Sequence, residues 1–439
     1  MTVIGSGLAG SEAAWQLARF GVPVRLYEMR PHVMPPAHTT DRCAELVCSN
    51  SFRAADGTSA AGTLKRELRS LGSLVMQAAD ESSVPAGSAL AVDRLAFAER
   101  VTERVTRHRL IDLMREEVTS LPDGRVIIAT GPLTSSAMEA VLTALTGPDR
   151  LAFYDAAAPI VAAESIDLSV AFPASRYDKG QGADYLNCPL SQQQYDSFVA
   201  LLRDARCVTR RAFERAELFH ACQPVEEVAR SGHDTLRFGA MKPVGLLDPR
   251  SGERPWAVVQ LRPENLARTA FNLVGFQTGL TFAEQRRVLR TIPGLKDAEF
   301  LRYGVVHRNT FVDSPRLLDP TLAVRHERRV RLAGQITGTE GYLEAAASGL
   351  IAALNTVCDL HGHPPFVLPR STALGALLRY ATDVETTEYQ PMHVNWGFVP
   401  PLHPPVRGKR ARYQAYSHRA ADDLAKTLAA HPLTATERP

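Results

Sequence analysis

The 439-residue sequence has only six cysteines, and no two of them form a C-x-x-C pair. This removes the usual ligand spacing of a zinc ribbon and the usual centre of a thioredoxin-like redox protein. His32 and His38 precede Cys43 and Cys48 at spacings that fit no common zinc pattern, so no metal site is expected. No apolar run approaches the roughly 18 residues that cross a bilayer. A typical one, Ala156 to Ala163, is short and broken by a proline, so no membrane partner is expected. The opening Met1-Thr-Val-Ile lacks the basic and apolar stretches of a secretory signal. The expectation is therefore a reducing, cytoplasmic compartment in which the cysteines stay thiols. Lysine is also scarce: of 50 basic residues, six are lysine and 44 arginine.

What is present is ordinary for a globular chain, with 45% hydrophobic and 22% charged residues, which argues against a disordered or fibrous protein. The length allows two or three domains. Net charge is only +3, but the arginines cluster: at 100, 104, 107 and 109; at 203, 206, 210, 211 and 215; at 325, 328, 329 and 331; and at Arg407, Arg410 and Arg412 around Lys409. Such clusters either neutralise phosphates of a folded RNA or form solvated faces interleaved with acids.

The sharpest local pattern is at the start. Thr2 to Ile4 reads as a short strand, Gly5-Ser-Gly7-Leu8-Ala9-Gly10 as a G-x-G-x-x-G turn, and Ser11 to Phe20 as a helix with Ala13, Ala14, Leu17 and Ala18 on one face. Gly21 stops that helix, and Val22 to Tyr27 makes a second strand ending at Glu28. This is a βαβ unit. Gly5 permits the tight turn, Gly7 lets the backbone approach a pyrophosphate, and Gly10 lets helix and strand pack closely. The diphosphate then sits on a helix N-terminus. Glu28, 18 residues after Gly10, is placed to accept hydrogen bonds from an adenosine ribose. The first strand is short enough to read as a start that has lost a few residues.

Two later segments favour FAD over NAD. Arg125 to Gly131 reads as a strand ending in Ala-Thr-Gly, a turn that recurs where flavoproteins return beside the dinucleotide. Val330 to Gly334 is a strand running into Gln335-Ile-Thr337-Gly338-Thr-Glu-Gly341, followed by a helix over about 342 to 358 rich in small residues. Backbone amides of that turn are suited to a ribityl chain, a phosphate or a pyrimidine edge. The fold expected is α/β: a Rossmann-like FAD-binding domain built from both chain ends (1–184 and 306–439) with an α+β insertion domain at 185–305. Within the insertion, Ser191 to Ala205 and Glu284 to Arg290 read as helices, and Trp256 to Leu261 and Ala270 to Val274 as strands. After about 378 the chain is rich in Pro and Arg, with a helix expected from about 417 to 429.

Several ordered stretches carry a family resemblance. They are Gly5 to Trp15, Tyr27-Glu-Met-Arg-Pro31, Ala44-Glu-Leu-Val-Cys48-Ser-Asn-Ser51, Cys222-Gln-Pro-Val-Glu-Glu227, Gly239 to Gly245, Gln260 to Glu264, Asn272 to Gln277 and Gly334 to Gly341. Together they resemble the folate- and FAD-dependent tRNA uracil-5-methyltransferase family, often called TrmFO. The first and last also look like the larger MnmG or GidA flavoproteins, which modify the tRNA wobble uridine. The Cys48 and Cys222 motifs favour the methyltransferase.

The resemblance implies transfer of a methylene from 5,10-methylenetetrahydrofolate to C5 of the T-loop uridine of tRNA, yielding 5-methyluridine (ribothymidine). Reduced FAD supplies reducing equivalents and NAD(P)H recharges it. The partners implied are the tRNA T-arm and the folate donor, with no DNA. Nothing in the sequence specifies an oligomeric state. Cofactor contacts implied are Gly5, Gly7, Leu8, Ala9, Gly10, Glu28, Gly131, Gly334, Gln335, Thr337 and Gly338. The matched cysteines, Cys48 and Cys222, are the implied catalytic pair.

That chemistry needs two groups. Uracil C5 becomes nucleophilic once a thiolate adds at C6, and a second group then removes the C5 proton. Cys222 is favoured as nucleophile because Glu226 and Glu227 beyond a proline suggest a loop entering a helix, although the roles can be exchanged. Cys43, Cys188, Cys207 and Cys358 are read as structural. Lys242 and Arg262 are either surface charges or folate or phosphate contacts, and His307 is similarly open. The rival readings are a wobble-uridine modifier, a flavin disulfide reductase, disfavoured by the missing C-x-x-C, and a flavin-containing RNA-binding module without chemistry.

Overall fold

The structure is a computed structural model. It describes residues 1–435 apart from 36, 148–149, 157, 181, 209–222, 305 and 387–388, and the side chains of 150–156, 306–310 and 434–435 are also left aside. Cys222 therefore lies outside the described residues, as does the side chain of His307.

Valine and isoleucine strands buried on both faces favour a parallel sheet covered by helices. Val126–Ile128, completely buried, is such a strand. It lies inside a six-stranded sheet ordered Ala323–Val324, Glu327–Leu332, Val126–Ile128, Thr2–Ile4, Val24–Glu28 and Ile111–Arg115. The last five are parallel, with Thr2 level with both Arg25 and Val126, and Val330 also level with Val126. The two ends of the chain thus share one sheet, as expected of a Rossmann-like fold. The first helix, Leu8–Arg19, starts three residues earlier than the apolar face suggested.

Helix Tyr342–His361 is buried at every position from Leu343 to Cys358. By length and composition it could cross a membrane, but it lies inside the protein, where a helix apolar on all sides belongs. Its small residues allow intimate packing on the first helix: a Cβ at Gly349 would sit 2.1 Å from the Ala9 carbonyl oxygen.

A second sheet is antiparallel and ordered Phe172–Ala174, Tyr185–Leu190, Ala257–Pro263, Ala270–Leu273, Ile160–Ala162 and Phe300–Arg302. It has its own apolar core, including Tyr195, Phe198, Phe276 and Leu280, apart from the core of the parallel sheet. Its helix Gln192–Asp204 begins at a capping box made by Ser191 and Gln194. Two of its strands, Ile160–Ala162 and Phe172–Ala174, precede residue 185. An antiparallel ribbon of Arg150–Ala156 with Val306–Val312 joins the two parts.

The C-terminal helix spans Lys409–Ala430, eight residues earlier than expected at its start. Arginine and alanine are good helix formers, so the helix extends back through the basic cluster to Gly408. The arginine clusters differ in kind. Arg100 and Arg104 pair with Glu81, and Arg107 with Glu103. Arg328, Arg329 and Arg331 pair with Asp319, Glu327 and Asp359. Around Lys409, by contrast, no ion pair of Arg407, Arg410 or Arg412 occurs among the described residues; Lys409 and Arg412 lie over the Tyr413 ring.

Candidate functional site

The first βαβ unit forms a cleft lined by Gly5, Gly7, Glu28, Arg30, His38, Glu117, Thr130 and Met138, among others. Its glycines have different reasons. A Cβ at Gly10 would lie 1.7 Å from the Gly5 carbonyl oxygen, so only glycine lets the helix meet the turn. A Cβ at Gly7 would meet nothing within 4 Å among the described residues. The space is open where a pyrophosphate would approach. Leu8, Ala9 and Gly10 form the first turn of the helix, and Gly7 offers it no side-chain cap. Of the ten described helices of eight residues or more, seven carry a Ser, Thr or Asp cap. The three that begin at glycine, at Gly7, Gly341 and Gly408, do not. Two of those open ends belong to the glycine turns singled out by sequence, and their amides suit an anionic group. The residues present therefore fit a flavin dinucleotide.

Glu28 closes the cleft. Its Oε2 accepts from the Ser6 amide at 3.0 Å and hydroxyl at 2.6 Å, and its Oε1 accepts from the Arg30 amide at 3.0 Å and Nε at 2.9 Å. Arg30 Nη2 adds a contact of 3.1 Å to Oε2, and its Nη1 pairs with Glu45 at 3.1 Å. Burial alone would raise the Glu28 pKa, but the hydrogen bonds and charge of Arg30, with the Ser6 hydroxyl, hold it at about 2. A ribose hydroxyl reaching Glu28 would share oxygens that already hold protein donors. His38, also at the cleft, has its pKa lowered to about 4 by burial and the Arg30 charge, and its Nδ1 is buried without a partner among the described residues. Gly131 stands in the loop after Val126–Ile128, adjacent to Thr130 in the cleft wall.

The second glycine turn is internally braced. The Gly334 amide donates to Ser348 Oγ at 2.7 Å, Gln335 Nε2 to Glu340 Oε1 at 2.7 Å, and Thr337 Oγ1 to the Gly334 carbonyl at 2.8 Å. The Gly338 amide donates to the Gln335 carbonyl at 2.9 Å. Directly after Gly341, the Tyr342 hydroxyl accepts from the amides of Cys48 at 2.9 Å and Ser49 at 3.0 Å. The turn and the Cys48 loop, nearly 300 residues apart in sequence, thus form one structure.

The second sheet completes it. Arg262 Nε donates to Asn50 Oδ1 at 2.8 Å and Nη2 to Ser49 Oγ at 3.1 Å, and Asn50 returns a bond to the Pro263 carbonyl at 2.9 Å. Arg262 is thus a buried clamp on the cysteine loop, whereas Lys242 is exposed. Arg94 pairs with Glu264 at 2.9 Å and also donates to the Leu46 carbonyl. Arg94, Arg262 and Arg302 all lie within electrostatic reach of half-buried Cys48. Burial, then repulsion from Arg94, lowers the pKa values of both Arg302 and Arg262. Arg94 Nη2 and Glu264 Oε1 are buried without hydrogen-bond partners among the described residues. Such an electropositive surrounding stabilises a thiolate.

The other cysteines differ. Cys43, Cys188 and Cys358 are buried, and burial pushes up their thiol pKa values, to about 12 for Cys188 and about 11 for Cys358. Cys207 is half-buried, 3.9 Å from Glu226 Oε1. Glu226 is buried in helix Val225–Ser231, and accepts from Thr278 Oγ1 at 2.8 Å and the Gly279 amide at 2.7 Å. Sequence reasoning missed Ser6, Arg30, Arg94, Arg302 and Tyr342. Arg30 had a signal, two residues past Glu28, and Tyr342 follows the second turn directly. Arg94 and Arg302 had none.

A family model described as Glucose inhibited division protein A (GIDA) matches residues 1–364. A curated relative from Heliobacterium modesticaldum, the methylenetetrahydrofolate–tRNA-(uracil-5-)-methyltransferase TrmFO, is 55% identical over 430 residues, covering 98% of each chain. Relatives of the same name from Pelotomaculum thermopropionicum, 55% identical over 97% of each chain, and Symbiobacterium thermophilum, 54% identical over 98% of this chain and 97% of the relative, match comparably. Among solved structures, Aquifex aeolicus GidA superposes with TM-scores of 0.69 and 0.70 at 18% identity. Those matches cover 97% of this chain and 73% and 75% of the GidA chains, and establish the shared fold. With near-complete coverage at this identity, the chain belongs to the TrmFO family, within the wider GIDA group.

Proposed function

We propose that this protein is a methylenetetrahydrofolate–tRNA-(uracil-5-)-methyltransferase, and that it acts on the T-loop uridine of the tRNA T-arm. The observation that carries the reading is the meeting of Cys48, Arg94, Arg262 and Tyr342 beside the second glycine turn, in a chain 55% identical to a curated TrmFO. When bound, FAD would be held by the residues around Gly5 to Gly10, Glu28, Gly131 and Gly334 to Gly338 and would supply the electrons that turn the transferred methylene into a methyl group, with NAD(P)H as their source.

The chain's own residues do the rest. Cys222 adds as thiolate to uracil C6, which makes C5 nucleophilic. C5 bonds to the folate methylene carbon as one of its two bonds to folate nitrogen breaks, and the second breaks as the C5 proton leaves, so that an exocyclic methylene remains on C5. Cys48 takes the C5 proton, and the guanidiniums around it favour the thiolate that does so. After two electrons and a proton reach the new carbon, the C6–S bond breaks, restoring the C5–C6 double bond. Arg262 holds the Cys48 loop through Ser49 and Asn50. The basic N-terminal turn of helix Lys409–Ala430, without acidic partners among the described residues, suits tRNA phosphates.

The reading includes a cytoplasmic location and no membrane or DNA partner. It also divides the chain into a cofactor unit made from both ends and an insertion unit; the strands at 160–162 and 172–174 favour starting the insertion ahead of residue 160 rather than at 185.

The experiment is a product digest. Purified protein is incubated with methylenetetrahydrofolate, NADPH and unmodified tRNA, and nucleosides are analysed for 5-methyluridine. Its appearance only when the folate is present is the expected result. No product, or a wobble-uridine product, overturns the proposal.

A further inference from the structure

Large aromatic side chains are usually buried, because each removes a large apolar area from water. Phe282 departs from this. It opens helix Phe282–Leu289, where Thr281 is the cap, and is 53% exposed. Its ring stacks on Tyr303, with centroids 4.9 Å apart and planes at 19°, and Tyr303 stacks in turn on Phe300 at 5.2 Å and 15°. The result is a three-ring ladder with its outer rung in solvent.

The ladder is held firmly. Arg286 Nη2 and Nε donate to the Tyr303 hydroxyl at 2.8 and 3.2 Å. Buried Gln285 grips the next residue, Gly304, donating to its carbonyl at 2.7 Å and accepting from its amide at 2.8 Å. Exposed Arg286 has no acidic partner among the described residues, so the rim of the ladder is positive. Phe300 also belongs to Phe300–Arg302, an outer strand of the second sheet.

Position gives the ladder its meaning. Arg302, the residue before Tyr303, reaches the Ala37 carbonyl at 3.1 Å and lies within electrostatic reach of Cys48 and Tyr342. The ladder is therefore continuous with the Cys48 site through one strand. A rigid exposed ring, a positive rim and a neighbouring site that acts on a base form the combination that captures an unpaired nucleotide, since every base has a face to stack.

We propose that Phe282, backed by Tyr303 and Phe300 and bordered by Arg286, is a stacking platform for an unpaired loop nucleotide of the substrate tRNA. This rests on the function proposed above. The test uses the flavin-loaded full chain as wild type, Phe282→Ala and Phe282→Tyr. Binding is measured to a T-arm hairpin transcript and to a blunt duplex of the same stem, alongside flavin content and 5-methyluridine formation.

Loss of one base-aromatic stack weakens binding by about five- to 150-fold. Phe282→Ala should show a loss of that order for the hairpin, none for the duplex, and unchanged turnover at saturating tRNA. Phe282→Tyr should bind as wild type. An unchanged hairpin affinity in Phe282→Ala, or equal weakening on hairpin and duplex, overturns the platform, as does wild type that binds no hairpin. A hairpin-specific loss in Phe282→Ala, in a protein whose wild type makes no 5-methyluridine, supports the platform and overturns the function.

Discussion

The Glu28 cleft and the Cys48 junction both bury arginines, but they balance them differently. At the cleft, Arg30 is matched by Glu28 and Glu45, and both Glu28 oxygens are filled by protein donors. At the junction, three guanidiniums lie within electrostatic reach of Cys48 with Glu264 as the paired acid, and Arg94 Nη2 and Glu264 Oε1 have no partner among the described residues. Buried polar groups are almost always satisfied. A region whose charges are matched is preorganised to hold something, while one left with excess charge is arranged for groups that arrive: a thiolate, a substrate oxygen or an anionic folate tail.

The strongest way to break this comparison is to remove the sulfurs. Cys48→Ala and Cys222→Ala should each lower methylation by about 10²- to 10⁴-fold while flavin content is kept, because a nucleophile and a base are lost separately. With 5-fluorouridine in the RNA, the variant lacking the nucleophile should also fail to trap a covalent adduct. Adduct retained by Cys222→Ala and lost by Cys48→Ala would exchange the two roles. Normal methylation in both variants would remove the cysteines from the chemistry.

Glu28→Gln tests the balanced region. It removes one of the two acids that balance buried Arg30, and breaking such a pair costs about 3 to 5 kcal/mol, which chemical denaturation would register. Because the folded pKa of Glu28 is about 2 against an ordinary 4.5, its contribution is fully present above pH 4.5 and is lost as pH falls through 2. Other carboxylates held below their ordinary pKa weaken both proteins in acid, so the wild type should lose more stability across that window than Glu28→Gln; identical acid profiles would show that the pair does not support the fold. The smallest effect is expected for Arg262→Lys. Lysine keeps the charge but not the fork that spans Ser49 and Asn50, so kcat should fall about tenfold, the equivalent of about 1.4 kcal/mol, with flavin binding unaltered. Full activity in that variant would separate Arg262 from the Cys48 loop.

The balanced region was legible in the sequence and the junction largely was not. Gly5 to Gly10, the strand to Glu28 and the second glycine turn are short-range patterns, in which spacing along the chain nearly equals spacing in the turn. The helix read at Ser191 to Ala205 is likewise local, formed as Gln192–Asp204 behind a capping box of Ser191 and Gln194. The C-terminal helix was placed eight residues late because basic, proline-flanked sequence reads as loop although arginine propagates helix well.

The sequence by itself determined the dinucleotide turn, the pairing of both chain ends into one cofactor unit and the family motifs, because backbone sterics and hydrophobic periodicity are local properties. Only the tertiary structure decided which charges serve those motifs. Arginines in the clusters at 100–107 and 328–331 are absorbed by acids that folding brings near, while Arg94, Arg262 and Arg302, isolated in sequence, converge on Cys48. The physical reason is range: a hydrogen bond or ion pair acts over a few ångströms, and only packing sheet against sheet brings residues so far apart in the chain within that distance.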